Sequence, residues 1–558
     1  MSKRADIIEK EAAQVFHYHD RTKHRFNQYA RSSGYLDWAN EPNPFRRFEG
    51  APLIRFSRPE PLPSPAYAQC FQPGVIAPTP VTLETLSRLF RNALALSAWK
   101  RYERNRWPLR VNPSSGDLHP TEGYLVSGAL EGLPAGVYHY TSEEHALERR
   151  AALQYGTFEA LVRGFPEGSF LVGLSSIFWR EAWKYGERAF RYCQLDLGHA
   201  LAALRISAAV LGWQLTLLDE LADAAISTLL GLDRAADFMG AEPEHPEAVA
   251  VVVPSAAHLS ACEGLAVEAL PKIAGASWHG RANRLSAQHV AWAIIDGVAR
   301  ASAKERTALP AASASLPAGC EDLASLRYDA ASAEQIIRQR RSAVDFDGVT
   351  AISKNTFLRM LARLMPDRTP VPFDALQRSA LRRPRLHLGI FAHRIEGLAP
   401  GLYFLVRDPA AGEELRRLMQ PHFAWSPLEG CPSDIPLFLL GEGDLRELAA
   451  RLGCAQAIAA DGAFALALLA EFEEPIRKLG TWFYRRLFWE AGLLGQILYL
   501  EAEAAGVRAT GMGCYFDDAV HEILGFGSEE KRFQDIYHFT VGGPLEDARL
   551  TTEPPYVT

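Results

Sequence analysis

The feature that most constrains the fold of this 558-residue chain is that the chain resembles itself. GLPAGVYHY at 132–140 recurs as GLAPGLYFL at 397–405, an offset of 265. A stretch of thirty residues that begins KYGERAFRY at position 184 recurs at position 478, with seven identities and an offset of 294. Chance likeness between two amphipathic helices is the alternative, but the conserved order of the matches favours a duplicated domain.

Length and composition support two domains. A chain of this size is too long for one core. An Ala- and Ser-rich stretch near 300–333 separates the two copies and is typical of a linker, although a poorly packed loop within one domain remains the alternative. The predicted divisions are an N-terminal extension at 1–50, a first domain at 51–260, a linker region at 261–330 and a second domain at 331–558.

Charge and cysteine usage exclude several classes of protein. The formal net charge of −7 gives no reason to expect a nucleic-acid partner. The sequence lacks both an apolar segment that would suit a membrane span and an N-terminal signal sequence, so we expect a cytoplasmic protein. The seven cysteines are scattered singly, without metal-ligand spacing. We therefore predict buried free thiols and no metal site.

A basic motif precedes the second copy. IIRQRRSAVDF at 336–346 brings Arg340, Arg341 and Ser342 together at the end of a helix-like segment. Two guanidinium groups beside a hydroxyl suit a phosphate monoester, which carries close to two negative charges. The alternative interpretation is a solvated basic end of a helix.

The first copy carries a weaker version of this motif. HDRTKHRF at 19–26 aligns Arg21 and Thr22 with the second Arg and the Ser of the basic motif, but it has Asp20 where the first Arg stands. An aspartate would repel a phosphate, so we expect this copy to bind phosphate poorly.

Two further motifs are each present in one copy alone. The second copy has TGMGCYFDD at 510–518, where glycines would let backbone amides approach a planar ligand, and its counterpart in the first copy is Leu217-Leu218-Asp219. The first copy has PSSGDLHPTEGYL from 113, for which the second copy has ALQRSAL. Each copy therefore lacks the motif that the other copy carries. The residues of interest are Gly511, Met512 and Gly513 in one motif, and Pro113, Ser114, Ser115 and Gly116 in the other.

RRSAVDF, PSSGDLHPTEGYL, the KYGERAFRY helix and GMGCYFDD together resemble the nitroreductase-like flavoproteins, and most of all the SagB-type (thiazoline and oxazoline) dehydrogenases. The resemblance implies an α+β fold in which a central, mainly antiparallel sheet is wrapped by helices. It also implies a dimer that binds FMN at the subunit interface. Here the two tandem domains would form that dimer within one chain, as an intrachain pseudo-dimer.

The resemblance also implies roles for the motif residues. One complete site would take the Arg-Arg-Ser and Gly-Met-Gly motifs from the second domain and the Pro-Ser-Ser-Gly motif from the first, so that each chain binds one FMN. Lys184 and Tyr185 match the Lys-Tyr pair implicated in SagB-type catalysis. The counterpart Lys478 would face a vestigial pocket, and His119 is a weaker candidate for the substrate pocket.

The function implied is FMN-dependent oxidation of a C–H/N–H or azoline-type bond, in a small molecule or a peptide, by hydride transfer to flavin N5. One alternative is an NAD(P)H-dependent nitro or quinone reductase on the same scaffold. Another is a flavin-free pseudoenzyme that serves as a binding subunit, since each copy has lost motifs.

Overall fold

The computed structural model describes residues 2–56, 63–255, 262, 264–309, 327–527 and 529–556. We call the part up to 309 the first half and the part from 327 the second half. The helices are α1 (Ser2–Arg21), α2 (Leu83–Arg91), α3 (Thr157–Leu161), α4 (Phe178–Tyr185), α5 (Ala189–Val210), α6 (Asp223–Leu230), α7 (Leu270–Ala274), α8 (Ala293–Ala301), α9 (Ala333–Gln339), α10 (Lys354–Ala362), α11 (Gly412–Leu418), α12 (Arg446–Leu452), α13 (Ile458–Asp461), α14 (Glu473–Leu479), α15 (Phe483–Ala505) and α16 (Asp517–Leu524).

The strands alternate with these helices along both halves. They are β1 (Phe48–Glu49), β2 (Leu53–Arg55), β3 (Leu96–Tyr102), β4 (Asn105–Arg110), β5 (Thr121–Ser127), β6 (Gly136–Thr141), β7 (Ala146–Ala152), β8 (Phe170–Ser176), β9 (Gln214–Leu217), β10 (His245–Val253), β11 (Ser277–Trp278), β12 (Arg281–Ala282), β13 (Ile352–Ser353), β14 (Leu386–Ala392), β15 (Ile395–Glu396), β16 (Gly401–Leu405), β17 (Ser426–Pro427), β18 (Leu437–Glu442), β19 (Phe464–Glu471), β20 (Arg508–Met512), β21 (Phe533–Gly542) and β22 (Thr551–Glu553).

Each half contains one large sheet, and the two sheets have the same strand order. The first runs β11-β7-β6-β5-β8-β10-β9, with β2 added beside β7, and the second runs β17-β18-β16-β14-β19-β21-β20. Neighbouring strands in both are antiparallel. The repeated GLPAG and GLAPG motifs end in β6 and β16, which hold the same place in their sheets. The duplication predicted from the sequence is therefore a duplication of structure.

The repeated long helices pack against each other at the centre of the molecule. All 22 residues of α5 are buried, and most of them are apolar. The two helices cross where Gly198 of α5 meets the backbone of Trp489, and Gly492 of α15 meets the backbone of Leu195. Each glycine is the repeat counterpart of the other, so the crossing lies on a pseudo-twofold axis.

Two ion pairs between the halves repeat the same symmetry. Arg191 of the first half donates to Asp517 of the second at 2.7 Å. Arg485 of the second half donates to Asp223 of the first, also at 2.7 Å. One hydrophobic core runs through both halves and contains both central helices. The predicted fold class, two α+β domains packed as an intrachain pseudo-dimer, is confirmed.

Several segments connect the halves further. The C-terminal strand β22 adds to β3 of the first half. In the region predicted as a linker, residues 264–309 form α7, α8 and two short strands, while 310–326 lie outside the described residues. The N-terminal extension begins with α1, which packs on α8.

The crossing of the central helices gives a test of the pseudo-dimer. A Cβ at Gly492 would lie 2.1 Å from the Leu195 carbonyl oxygen, which belongs to a buried helix and cannot move aside. We expect Gly492→Ala to lower the free energy of unfolding by about 1 to 3 kcal/mol in chemical denaturation. Gly297→Ala is the matched control, because its Cβ would meet only the flexible Gln14 side chain; we expect a change within about 1 kcal/mol. Equal effects of the two substitutions would contradict the tight crossing.

Candidate active site

The basic motif of the second half lies directly against the first half. Arg340, the C-cap of α9, donates through Nε to the Val111 carbonyl and through Nη2 to the Arg110 carbonyl, each at 3.2 Å. Arg341 donates through Nη2 to the Ser97 carbonyl at 2.9 Å. These bonds hold the two guanidinium groups beside the loop that carries the Pro-Ser-Ser-Gly motif.

The two guanidinium groups share a surplus of positive charge. Arg340 is buried, and its Nη1 has no hydrogen-bond partner among the described residues. Burial lowers the pKa of Arg340, and burial together with the charge of Arg340 lowers the pKa of Arg341 to about 10. Ser342 is exposed, and its hydroxyl lies 2.9 Å from the Tyr499 hydroxyl. The cluster therefore suits an anion such as a phosphate.

The Pro-Ser-Ser-Gly loop is held by hydrogen bonds to neighbouring residues of the first half. The Ser114 hydroxyl accepts from the His119 amide at 2.8 Å, and the Ser115 amide donates to the Asp196 carboxylate at 3.1 Å. Gly116 and Asp117 follow with φ of 62° and 58°, in the left-handed region. This conformation turns Gly116 and Asp117 outward, and both are accessible to solvent.

The Lys-Tyr pair faces this loop from the end of α4. An added Cβ on Gly116 would lie 2.6 Å from the Tyr185 hydroxyl and 2.9 Å from the Lys184 Nζ, so only glycine leaves room for them. Asp117 is close enough to both Arg340 and Lys184 for their charges to act on its pKa. The structure thus brings the basic motif, the Pro-Ser-Ser-Gly loop and the Lys-Tyr pair to one place.

Three carboxyl groups surround the pair. Asp196 is buried, and burial raises its pKa to about 7. Asp117 is exposed as a residue, but partial desolvation of its carboxyl by the surrounding protein raises its pKa to about 6. Burial, and next the nearby Asp196, raise the pKa of Glu181. Burial, and next the charge of Glu181, raise the pKa of Tyr185, so its phenol keeps its proton at neutral pH. The site therefore contains a group that stays protonated at neutral pH, Tyr185, and two groups whose pKa lies near neutrality, Asp117 and Asp196.

The Gly-Met-Gly motif is linked to the same region through Tyr499, whose hydroxyl also lies 2.9 Å from that of Ser342. The Gly511 amide donates to the Tyr499 hydroxyl at 2.9 Å, and the Gly513 carbonyl accepts from the Tyr192 hydroxyl at 2.9 Å. The space that a Cβ would take is occupied by Tyr537 at Gly511 and by Tyr192 at Gly513. The glycines let these two rings approach the backbone, and a similar approach by a planar ligand stays a prediction. The side chain of Met512, between the glycines, is buried.

The pseudosymmetric position contains different chemistry. Asp219, the counterpart of Gly513, accepts from Arg486, the counterpart of Tyr192, at 2.9 Å. The Ala380 amide, in the segment aligned with the Pro-Ser-Ser-Gly motif, donates to the same Asp219 carboxylate at 3.1 Å. Protein groups pair with one another here, and the loss of a ligand at this position stays a prediction.

Three expectations from the sequence are wrong. Arg21 is the last residue of α1 and pairs with Glu187. It therefore does not occupy a position equivalent to that of Arg341. Lys478 is exposed at the end of α14 and pairs with Glu474 on its own helix, so it faces no pocket. His119 is buried, and its Nε2 hydrogen-bonds with the Pro108 carbonyl, which is a structural role.

The sequence analysis missed the buried acids and the tyrosines of this site. Asp196 carried a signal, because it is an acidic residue in an otherwise apolar stretch of a repeated helix. Tyr192, Tyr499 and Tyr537 carried none, since aromatic residues in buried elements are most often part of a core.

Comparison with known proteins agrees with this geometry. A sequence model described as the nitroreductase family matches residues 77–242. This match covers a part of the first half and supports a nitroreductase-like domain there. The matched range contains the Pro-Ser-Ser-Gly loop, the Lys-Tyr pair and α5. Within the described residues, no helix combines the length and the apolar character needed to cross a membrane.

Two curated relatives are similar to part of this chain. The trifolitoxin-processing protein TfxB of Rhizobium leguminosarum bv. trifolii is 28% identical over 167 residues, which cover 28% of this chain and 44% of TfxB. A protein provisionally assigned as a nitroreductase in Methanocaldococcus jannaschii is 26% identical over 138 residues, which cover 24% of this chain and 66% of that protein. The chain thus spans less than half of the first relative and about two thirds of the second.

One solved structure covers both halves. The crystal structure of a provisionally assigned nitroreductase from Anabaena variabilis superposes with a TM-score of 0.65 and 21% identity, over 95% of this chain and 99% of that one. At this identity the likeness concerns the fold. The arrangement of two nitroreductase-like halves in one chain is therefore shared with a solved protein.

The buried acids give a pH test. The folded-state pKa of Asp196, about 7, lies above the ordinary value of about 3.9 for an unfolded aspartate. A group of this kind stabilises the fold at low pH and loses that contribution as pH rises from about 4 to about 7. We expect Asp196→Asn to gain about 1 to 3 kcal/mol in unfolding free energy, relative to the unmodified protein, between pH 5 and pH 8. Denaturant titration at both pH values measures this. Asp296→Asn, at an exposed position of α8, is the control, and a parallel pH profile for both variants would contradict the assignment.

Proposed function

We propose that the chain is an FMN-dependent oxidoreductase with one active site, built from both halves. The observation that carries this proposal is the pair of guanidinium groups beside the Pro-Ser-Ser-Gly loop and the Lys-Tyr pair. Arg340 is buried, with an Nη1 that has no hydrogen-bond partner among the described residues, and Arg341 is half-buried. Residues from two distant parts of the sequence converge there, whereas the pseudosymmetric position is filled by ion pairs.

The residues present fit FMN. Arg340, Arg341 and the hydroxyl of Ser342 would hold the phosphate, since charge-assisted bonds to a buried anion would relieve the surplus of positive charge. The Pro-Ser-Ser-Gly loop and the Gly-Met-Gly motif would contact the ring system from opposite halves. When bound, FMN supplies hydride acceptance and donation, which no amino-acid side chain provides.

The protein groups would manage the protons. Tyr185 keeps its proton at neutral pH, so it would donate a hydrogen bond that orients a substrate. Asp117 is accessible, carries a pKa of about 6 and lies beside Lys184, so these two groups would take up the proton released when a C–H or N–H bond is oxidised. A base with a pKa close to the working pH is the most effective.

We propose an azoline-type or related substrate in a peptide. The supporting observation is the similarity to TfxB, which is described as a trifolitoxin-processing protein. A segment of the N-terminal extension also packs against the residues that follow the Lys-Tyr pair, because the Glu187 amide donates to the Arg31 carbonyl at 2.9 Å. This segment exposes Tyr35 and Trp38, which are 73% and 66% accessible and would offer apolar contacts to a peptide.

The cofactor can be tested by flavin content. We expect the purified protein to contain one FMN per chain. Arg340→Ala and Arg341→Ala should each weaken FMN binding by about 1.5 to 3 kcal/mol, a factor of about 10 to 150, because each removes charge-assisted bonds. Fluorescence titration of the apoprotein with FMN measures the dissociation constant, and thermal unfolding checks that each variant folds.

Arg21→Ala is the matched control, since this arginine is half-exposed and pairs with Glu187. It should leave FMN affinity within about twofold. Two flavins per chain, or equal losses from all three variants, would contradict a single site. A folded protein that refuses FMN would leave the binding-subunit function as the remaining candidate.

The catalytic roles can be tested by single-turnover kinetics. Lys184→Ala and Tyr185→Phe should retain FMN but slow its anaerobic reduction by an azoline-containing peptide by about 100-fold to 10,000-fold, the usual contribution of general acid–base groups. The measured quantity is the rate at which the flavin absorbance bleaches. Lys478→Ala, at the exposed counterpart of Lys184, should match the unmodified protein.

The same assay separates the two oxidoreductase functions. Bleaching by the azoline donor and not by NADPH supports the dehydrogenase. Rapid bleaching by NADPH alone supports the nitro or quinone reductase and overturns the proposed substrate. Normal rates in Lys184→Ala with the substrate that works would overturn its catalytic role.

A further inference from the structure

Two cysteines meet beside the candidate active site. The sulfur atoms of Cys454 and Cys514 lie 2.6 Å apart, although the residues are 60 positions apart in the sequence. A disulfide bond is about 2.05 Å long, so a movement of about 0.5 Å would join them. Both thiols are free in this structure. The sequence analysis predicted buried thiols, but both of these are half-exposed.

The surroundings make the two sulfurs chemically unequal. Hydrogen bonding to Cys454, and after it to His24, lowers the pKa of Cys514, while the same contact raises the pKa of Cys454. The Ala30 amide donates to His24 Nδ1 at 2.9 Å, which places the imidazole proton on Nε2 and leaves it free to face Cys514. The positive charge of Arg188 also favours the thiolate of Cys514. A half-exposed cysteine with a lowered pKa is the reactive type.

We propose that Cys454 and Cys514 form a thiol–disulfide exchange site that reacts with small disulfides of the glutathione class. The Cys514 thiolate attacks one sulfur of the small disulfide, which breaks its S–S bond and releases one thiolate. The Cys454 sulfur then attacks the mixed disulfide at Cys514 and displaces the second small thiol, which leaves with the proton of Cys454. Two protein thiols are oxidised and one small disulfide is reduced to two thiols, so atoms and electrons balance.

The position of the pair gives the exchange a consequence. Cys514 follows the Gly-Met-Gly motif, and the Gly513 carbonyl accepts from Tyr192 and Arg188. Cys454 lies in the turn after α12 with a φ of 56°. A disulfide would tie this turn to the Gly-Met-Gly motif and restrict its movement. The exchange itself needs no flavin and is independent of the proposed function.

Thiol titration tests the site directly. The full-length protein is equilibrated with excess glutathione disulfide in the presence of EDTA, quenched with acid, unfolded and titrated. We expect the count to fall from the seven thiols of the sequence to five, with peptide mapping that links Cys454 to Cys514. Cys431→Ser, at another half-buried cysteine, is the matched control and should fall from six to four.

The single variants identify the nucleophile. Cys454→Ser should hold one glutathione on Cys514, whereas Cys514→Ser should form neither the link nor an adduct at Cys454. In the reduced protein, iodoacetamide should modify Cys514 about tenfold or more faster than Cys431, since the thiolate is the reacting form. An unchanged count of seven, a link between other cysteines, or equal alkylation rates would overturn the proposal. Normal thermal unfolding of both variants would confirm that misfolding does not cause these results.

Discussion

The crossing of two buried helices at Gly198 and Gly492 is the contact on which the rest of the molecule depends. Each glycine lies against the backbone of the other helix, at a distance that no larger residue allows. This close approach lies on the pseudo-twofold axis that relates the two halves. The Arg191–Asp517 and Arg485–Asp223 ion pairs then repeat on either side of the axis. The largest hydrophobic core of the described residues spans both halves and contains both central helices.

Symmetry of the backbone contrasts with asymmetry of the side chains. The axis creates two equivalent positions, yet one has Tyr192 against the Gly513 carbonyl and the other has Arg486 against Asp219. An arginine and an aspartate neutralise each other and stabilise the packing without a ligand. A tyrosine and a glycine are neutral, so they do not compensate the positive charge of Arg340 and Arg341. The two positions related by the axis therefore differ in chemistry: one contains an ion pair, and the other contains a hydrogen bond from a tyrosine to a backbone carbonyl.

The remaining position combines opposite charges that are held apart. Desolvation lowers the pKa of the two arginines on one side and raises that of Asp117 and Asp196 on the other. Direct ion pairs would relieve both groups, but the arginines are tied to backbone carbonyls and Asp196 to the Ser115 amide. A site of this kind is ready for a ligand that carries an anion at one end and exchanges protons at the other.

The sequence by itself determined the duplication, the fold class and the complementary distribution of motifs, because repeats and glycine-rich motifs are local patterns that keep their order. It did not predict the location of Arg21, Lys478 or the two cysteines, since a length of helix such as α1 can carry a residue to either side of the molecule. It also gave no sign that Tyr192 and Tyr537 would occupy the space beside the Gly-Met-Gly backbone. Those positions, and the pKa values of the buried acids, were decided by tertiary structure, because burial and the approach of residues distant in sequence exist only once the two halves have packed.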